Sequence, residues 1–438
     1  MKRILITLLA IVLVANFAFS AEGAAAEPAS QPEASQPAPE AAPAAAKKPK
    51  VKVDIFGSVR YRFQMDNTQS ANVNDNGSIG DTTGVATRRE RNRIKVQFGA
   101  SAQIGEQVEL KIVLSTGSTS NTRSVNQTLG TTSNNKTGEE SANQADSFGL
   151  YSIGIYEADL KLKFLSNMLQ LGFGKFKAPH YSAGLVLYGD VRPDGMYQTL
   201  DIKLGNMNIG LNLGEWITIS EVSGGADPKT KFSKWIIAPQ LFWKAKFGMV
   251  ELVLAPGMYL WTNRNRGNGE NLYSLFNVYL ELGFKLAIPI KLKFEMSMNM
   301  SKNEYLAGNA LPVNYTDAVK NNKIGFLVEL SAGSVKKQWD WELKVGFLYA
   351  QLYAVNPATA NDDFFKVTAD NTTKTYLNAV MPSSVPMGLY INAGLGVLDN
   401  TKLSIDFIVF QRTYISTWAT TGKAEKGWIL KMSLEAKF

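Results

Sequence analysis

From residue 51 to the C-terminus, apolar and polar residues alternate along the chain with a period of two. The stretch 53–65 carries mainly apolar side chains at odd positions and polar ones between them, and the stretch 93–104 repeats this alternation. Such a period predicts β-strands that present one face to an apolar environment and the other to water. The pattern predicts sixteen strands, near residues 52–65, 91–104, 108–116, 152–165, 168–174, 196–204, 207–214, 234–246, 250–260, 271–286, 290–301, 323–333, 338–351, 385–397, 401–411 and 427–438.

The connections between these strands alternate in length. One set is very short, such as Gly205–Asn206, and the other is long and polar, with the largest members at 117–150 and 352–384. Every charged residue within the predicted strands falls on the polar face, and a charge that faced lipid would cost about 2–4 kcal/mol near the bilayer midplane. A soluble β-sandwich would require neither the alternation of connection lengths nor this placement of charges. We therefore predict an all-β, transmembrane, antiparallel 16-stranded β-barrel of the porin-like type, with short periplasmic turns and long extracellular loops.

Aromatic residues near the strand ends agree with this prediction. Most tryptophans lie where interfacial girdles are expected. The last strand carries apolar residues at alternate positions and ends in Phe438. This ending resembles the C-terminal signal by which the barrel assembly machinery recognises bacterial barrels, and we interpret Phe438 as that insertion signal. The predicted girdle residues are Trp216, Trp235, Trp261 and Trp428 at the loop end and Trp243, Trp339 and Trp341 at the turn end.

The N-terminus differs in composition from the rest. A basic start, an apolar stretch over 4–19 and small residues before Ala21 predict a signal peptide over residues 1–20. Residues 21–50 are rich in Ala and Pro, which predicts a periplasmic linker without a core. The barrel domain then covers 51–438, and the location is the bacterial outer membrane.

Composition excludes several kinds of chemistry. The chain has no cysteine and one histidine, which excludes thiolate nucleophiles, cysteine-based metal sites and multi-histidine centres. Phosphate-binding, dinucleotide-binding and metalloprotease motifs are absent as well. We therefore assign no catalytic residue, metal or cofactor and do not expect an enzyme. The chain has a net charge of +8, but its positive charge within the barrel domain is spread over the predicted barrel interior, so we expect no nucleic-acid partner.

Four segments resemble the bacterial putative-porin family over roughly residues 54–205. They are ERNRIKVQFGASAQIGEQVELKIVLSTG, SVNQTLG, LGFGKFKAPH and YGDVRPDGM. The resemblance implies a general diffusion or mildly selective porin that forms a homotrimer within lipid and lipopolysaccharide. The segment NNKTGEESANQADS in the loop 117–150 departs from the family pattern.

Sixteen strands enclose an aqueous channel, and this one has more basic than acidic residues on its inward face, which favours anions. The sharpest cluster joins the first two strands, whose hairpin pairing brings inward-facing basic residues to similar heights. These predicted pore-lining residues are Arg60, Arg62, Arg91, Arg93 and Lys95.

Acidic partners for this cluster are expected from two places. Glu157 and Asp159 on the fourth predicted strand are candidates across the lumen, and Asp190 and Asp194 are candidates if the loop 178–195 folds inward.

The same loop holds His180 and Tyr181 and is the predicted constriction. An exposed histidine there would make conductance sensitive to pH near its ordinary pKa of ~6.5.

We predict passive diffusion of small hydrophilic solutes or ions with a modest anion preference. Two alternatives stay open, a plugged surface-interaction barrel and a sugar-selective channel. The second would use inward-facing aromatic residues, for which the candidates are Phe56, Tyr197, Tyr273, Tyr279 and Tyr390.

Overall fold

The fold is described from a computed structural model of the chain. The described residues are 50–73, 86–117, 125–129, 153–219, 234–263, 274–300, 323–351, 354–356, 359–360, 364, 384–414 and 422–438. The predicted signal peptide over 1–20, the linker up to residue 49, Tyr273 and most of the loops 117–150 and 352–384 lie outside this part of the chain. Among the described residues, no helix has the length and apolar composition needed to cross a membrane.

The described residues form seventeen strands, of which sixteen are long. The elements are β1 (Val51–Val73), β2 (Ala86–Ile104), β3 (Val108–Thr116), β4 (Gln127–Thr128), β5 (Ile153–Phe164), β6 (Leu169–Lys175), β7 (Asp194–Leu204), β8 (Met207–Ile219), β9 (Lys234–Phe247), β10 (Val250–Asn263), β11 (Ser274–Phe284), β12 (Ile290–Asn299), β13 (Ile324–Gly333), β14 (Trp341–Ala350), β15 (Ser384–Leu398), β16 (Thr401–Tyr414) and β17 (Gly422–Lys437).

The sixteen long strands form one closed antiparallel barrel. Each pairs with its neighbours in chain order, β3 pairs directly with β5, and β17 pairs with β1 to close the ring. The two-residue β4 pairs with β2 alongside the wall. The predicted fold class and the count of sixteen strands are confirmed. Closure leaves no unpaired strand edge, which a strand in lipid requires.

The alternation of the sequence sets which face of each strand points outward. Ile55 is 64% exposed on the outer face of β1, and Leu241 is 60% exposed on that of β9. Charged side chains point inward and form pairs there, as Lys161 and Lys163 do with Glu109. The outer face of the strands is therefore apolar, and charged side chains on the inner face form ion pairs.

Short turns connect the strands at one end, as predicted. Gly205 opens the Gly205–Asn206 turn at a φ of 61°, and Asn400 adopts a φ of 60° in the turn before β16. Glycine and asparagine accept this left-handed region more readily than other residues, and it matches the twist of a tight hairpin.

At the opposite end several strands are longer than the sequence predicts. β1 continues to Val73, and β17 begins at Gly422 instead of residue 427. The two strands pair in register over this added length. Outward positions such as Asn67 and Gln69 are polar there, so the apolar alternation stops although the pairing does not.

Two of the predicted girdle tryptophans are corrected by the structure. Trp216 and Trp261 are 1% and 7% exposed and point into the barrel, where they belong to an apolar cluster. Trp339 and Trp341 at the turn end are 70% and 45% exposed, as girdle residues would be. Trp216 and Trp261 point inward because a chain segment lies inside the lumen and their rings pack in the apolar cluster there.

Candidate functional site

The connection between β6 and β7, residues 176–193, lies inside the barrel and is called the inner loop here. Its two ends meet where the backbone N–H of Phe176 donates to the carbonyl of Pro193 at 3.1 Å. Leu185 and Val186 near its tip have no exposed surface. The loop therefore lies within the ring of strands, and the lumen is not an open tube.

A buried carboxylate on β12 holds the tip of the inner loop. Glu295 is fully buried and accepts hydrogen bonds from the Ser182 hydroxyl at 2.9 Å and from the backbone N–H groups of Ala183 at 2.7 Å and Leu185 at 3.0 Å. The Asn277 side-chain amide donates to the same carboxylate at 3.0 Å. Because a carboxylate is a strong acceptor in a dry interior, this set fixes the loop backbone to the wall.

A second attachment lies on β8 and β9. The Gln240 side-chain amide donates to the carbonyl of Tyr181 at 2.9 Å and accepts from its N–H at 2.8 Å. The Asn212 amide donates to the carbonyl of Pro179 at 3.2 Å. These amides satisfy a stretch of loop backbone as a neighbouring strand would.

His180 is half-buried within this attachment. Its ring lies 4.9 Å from that of Trp216 and 5.9 Å from that of Tyr259, and its Nε2 lies 2.6 Å from the carbonyl oxygen of Ala238. Burial lowers the pKa of His180, in a loop between the spanning strands, to about 4. The imidazole is therefore neutral where an exposed one would titrate, and the hypothesis of a switch near pH 6.5 loses its support.

A second segment enters the lumen after β14, and its described residues 351, 354–356, 359–360 and 364 are called the second inner segment here. The Ser297 hydroxyl donates to the carbonyl of Ala354 at 2.8 Å, and the N–H of Tyr188 donates to the carbonyl of Thr359 at 2.8 Å. Phe364 is 1% exposed. The segment thus contacts both β12 of the wall and the inner loop.

Together the two inserted segments and the loop end of the wall enclose an apolar core inside the barrel. Burying such side chains contributes roughly 1.5–3 kcal/mol each, so the insertion is a stable folded unit. The core comprises Phe176, Leu185, Val186, Leu187, Tyr197, Trp216, Ile236, Ala238, Tyr259, Trp261, Leu275, Leu327, Leu348, Ala350, Ala354, Val355, Ala360, Phe364, Ile408, Phe410 and Ile429.

Among the described residues, a cavity of about 340 Å³ lies along β1, β2 and β14 to β17, and it is called the passage here. Six basic and three acidic side chains line it, which leaves a surplus of positive charge. The lining residues are Arg60, Arg62, Arg93, Asn126, Tyr188, Asp190, Lys344, Phe364, Tyr390, Ile391, Asn392, Lys402, Ser404, Asp406, Ile408, Lys431 and Glu435.

The register of the strands places like charges side by side at this passage. Arg60 is paired with Lys95 across the β1–β2 ladder, and Arg62 is paired with Arg93. Like charges directly opposite one another destabilise a sheet. These four residues are called the basic wall here. Glu435 reduces the repulsion between these like charges, because it forms a salt bridge of 3.1 Å with Lys95.

Asn126, in the short segment before β4, orients two guanidiniums of the basic wall. Its side-chain oxygen accepts from Arg60 Nη2 at 2.6 Å, and its backbone carbonyl accepts from Arg93 Nη2 at 3.0 Å. Arg62 donates from Nε to the Ser433 hydroxyl at 2.9 Å. Within the described part of the chain, neither Arg60 nor Arg62 forms a salt bridge. Their charge therefore stays available to the passage.

The structure corrects the predicted acidic partners on β5. Glu157 forms salt bridges with Lys111 at 2.5 Å and with Arg192 at 2.6 Å, so it ties the returning inner loop to the wall instead of facing the arginines. Asp159 lies beside Lys161 and Tyr197. Of the predicted acidic residues, Asp190 on the inner loop lines the passage with Arg60 and Arg62.

The other predicted site residues lie outside the passage. Arg91 forms a salt bridge of 2.7 Å with Asp66 nearer the loop end. Asp194 begins β7 and pairs with Lys175 at 3.2 Å. Tyr181 packs among Phe242, Tyr279 and the Lys244 ammonium. Phe438 completes the junction of β17 with β1, where its N–H donates to the carbonyl of Gly57 at 3.1 Å.

Sequence reasoning missed the residues that hold the insertion. Glu295 sits at an inward position of a predicted strand, yet two of its four partners are backbone N–H groups, which carry no signal in the sequence. Asn126 belongs to the SVNQTLG segment, so that motif was the available pointer to it. No cluster of potential metal ligands occurs among the residues that the structure describes.

Comparison with known proteins gives one family and several structures. A family model described as a putative porin matches residues 41–274. The chain is similar to the outer membrane channel DcaP of Acinetobacter baumannii, with 14% identity, a TM-score of 0.44 and coverage of 89% of this chain and 97% of that one. It is also similar to OprB of Pseudomonas putida, with 11% identity, a TM-score of 0.47 and coverage of 88% and 94%. A third is OmpF of Salmonella typhi in complex with daunomycin, with 10% identity, a TM-score of 0.42 and coverage of 88% and 97%. No curated protein sequence matches the chain.

Proposed function

The chain belongs to the putative-porin family and is a channel of the bacterial outer membrane, and from this premise we propose that it passes small hydrophilic solutes by passive diffusion with a modest preference for anions. The observation that carries the anion preference is the surplus of basic side chains along the passage. A surplus of one sign within a narrow water-filled segment raises the local concentration of counter-ions and favours their passage. The small volume of the cavity favours small solutes over polymers.

The alternative of a sugar-selective channel receives less support from the aromatic residues. Tyr197 and Tyr279 are 4% and 3% exposed and pack within the inner wall. Tyr390 lines the passage, but its hydroxyl donates to Glu329 at 2.7 Å. A continuous aromatic track needs exposed ring faces at successive positions, and these rings do not offer one.

The surroundings of the barrel follow from its family and its outer surface. We propose a homotrimer, an arrangement that rests on family membership. The exposed apolar outer positions, such as Ile112 at 57% and Leu330 at 51%, suit contact with lipid and with the acyl chains of lipopolysaccharide. The pairing of Phe438 with β1 suits a C-terminal strand that the barrel assembly machinery recognises while the ring closes.

The test is planar-bilayer recording of the purified protein, with the reversal potential measured across a KCl gradient. Wild-type channels should favour chloride. Arg60→Gln with Arg62→Gln should move the permeability ratio towards unity, because two charges without a salt bridge are removed. The matched control is Arg88→Gln, since Arg88 is exposed outside the passage and pairs with Glu90.

Three outcomes would contradict parts of the proposal. Cation selectivity in the wild type would leave a channel and refute the charge argument. A shift in the control equal to that in the double variant would refute the assignment to the basic wall. Absence of conductance from folded protein would favour the plugged surface-interaction barrel.

A further inference from the structure

The basic wall has hydrogen-bonding capacity that a diffuse positive potential does not use. A guanidinium has five N–H donors in a planar fork. Within the described residues, Arg62 commits only its Nε, to Ser433, which leaves both terminal nitrogens of the fork without a partner. Arg62 lines the cavity, so this edge is open to whatever enters the passage.

Arg60 has a similar surplus at a different atom. Its Nη2 is held by Asn126, and its Nε is buried and therefore closed to the passage. Its Nη1 has no hydrogen-bond partner among the described residues and is not one of the buried atoms, so this nitrogen can donate to an acceptor in the passage.

The carboxylates near the wall are largely committed elsewhere. Glu435 pairs with Lys95, and Asp66 pairs with Arg91 and Arg89 nearer the loop end. Asp190 is the acidic residue of the inner loop that lines the same cavity. The cavity has three acidic side chains, Glu435, Asp190 and Asp406, against six basic ones, which leaves room for a further anion.

We infer that Arg60 and Arg62 form a binding site for one oxyanion group, a carboxylate or a phosphate, carried by a small hydrophilic solute. The inference rests on the proposed function, because it makes the conducting passage a saturable site. The planar fork suits an oxyanion better than a halide, since two parallel N–H donors match two oxygens of one group. Ser404, Asn392 and Asp406 line the same cavity and suit the hydroxyl groups of the solute body.

The first experiment measures binding directly, so it does not require an open channel. Detergent-solubilised protein is titrated calorimetrically with sodium gluconate and, separately, with inorganic phosphate at constant chloride. Saturable binding of either anion that weakens tenfold or more in Arg62→Gln supports the site, since loss of a charge-assisted hydrogen bond of about 1.5–3 kcal/mol is a factor of about 10 to 150. Binding of gluconate alone assigns a carboxylate, and binding of phosphate alone assigns a phosphate. No binding of either anion overturns the inference.

The second experiment separates the fork from the charge. Gluconate and phosphate are added to single channels that carry chloride. Arg62→Lys keeps the charge and lacks the fork, so it should weaken saturable block by a larger factor than it changes the chloride-to-potassium permeability ratio. Arg88→Gln is the control and should be blocked like the wild type. If Arg62→Lys changes the block and the chloride-to-potassium permeability ratio by equal factors, the inference is overturned. An anion-selective current that neither gluconate nor phosphate blocks also overturns it.

These experiments also distinguish the two proposals. An anion-selective channel that binds neither gluconate nor phosphate would retain the proposed function and refute the oxyanion site. A non-conducting barrel that binds either anion through Arg62 would refute passive diffusion and retain the site.

Discussion

Glu295 shows how one side chain sets the form of the lumen. It is fully buried, and its donors are the hydroxyl and backbone N–H groups of the inner loop. If the loop left the wall, the carboxylate and those N–H groups would all need new partners. Burial without such partners is costly, so the attached position is strongly preferred.

Glu295→Gln should loosen the tip of the inner loop. The amide keeps one acceptor oxygen but loses the charge and the second acceptor, at a cost of roughly 3 kcal/mol to the attachment. Amide hydrogen exchange at Ala183 and Leu185 should accelerate, and single-channel records should show larger and noisier conductance. The measurements are exchange mass spectrometry of the peptide over 181–187 and bilayer recording.

The control for this prediction is Glu251→Gln. Glu251 is likewise a carboxylate with several partners, in this case Lys246 and Lys285, but it lies at the turn end away from the inner loop. Unchanged exchange in the Glu295 variant, or equal acceleration in the control, would show that this carboxylate does not hold the loop.

At the scale of the strand, the junction of β1 with β17 depends on a residue without a side chain. Gly57 and Phe438 exchange two backbone hydrogen bonds of 3.1 Å each. A Cβ at Gly57 would lie 2.3 Å from the Phe438 ring and 2.8 Å from the carbonyl oxygen of Gln97. The terminal ring and the neighbouring strand therefore both occupy the space that any larger residue would need.

Gly57→Val should reduce the fraction of protein that closes into a barrel. Overpacking of this kind typically costs about 1–3 kcal/mol, and here it falls on the final pairing. The measurement is the heat-modifiable mobility of folded barrel on a gel after refolding into detergent. Gly154→Val is the matched control, because a Cβ there meets nothing within 4 Å. Equal folded fractions in both variants would refute the argument.

The strands were predictable from the sequence because lipid imposes a strict alternation on one face. The ends of the strands were less predictable, because β1 continues past Met65 through polar positions that do not show the alternation. Trp216 and Trp261 were wrongly assigned to a girdle for a related reason. An apolar residue near a strand end looks the same in sequence whether it meets lipid or an inserted loop.

For the whole molecule, the inner loop was predicted to enter the lumen, but its partners were not. The second inner segment follows β14, far along the chain, and meets the inner loop through Tyr188 and Thr359. Such a contact between distant segments has no periodicity to reveal it. Of the predicted acidic partners, Asp190 lines the passage, while Glu157 is used by Lys111 and Arg192.

Leu185→Asp should widen the channel. Leu185 has no exposed surface and belongs to the apolar core inside the barrel, and burying an unpaired carboxylate there would cost several kcal/mol. The insertion should therefore detach in part, and single-channel conductance should rise while the barrel stays folded on a gel. Leu185→Met keeps the volume and should conduct like the wild type. A conductance unchanged in Leu185→Asp would show that the core does not limit the channel.

Because the apolar core lies inside the lumen, the residues that form the membrane-spanning ring and the segments that narrow the bore are different parts of the chain. The apolar outward positions and the junction of β1 with β17 belong to the ring of strands. The bore depends on the inner loop and the second inner segment, neither of which contributes a strand to the ring. We therefore expect changes in these two segments to alter permeability while the lipid-facing sequence stays the same.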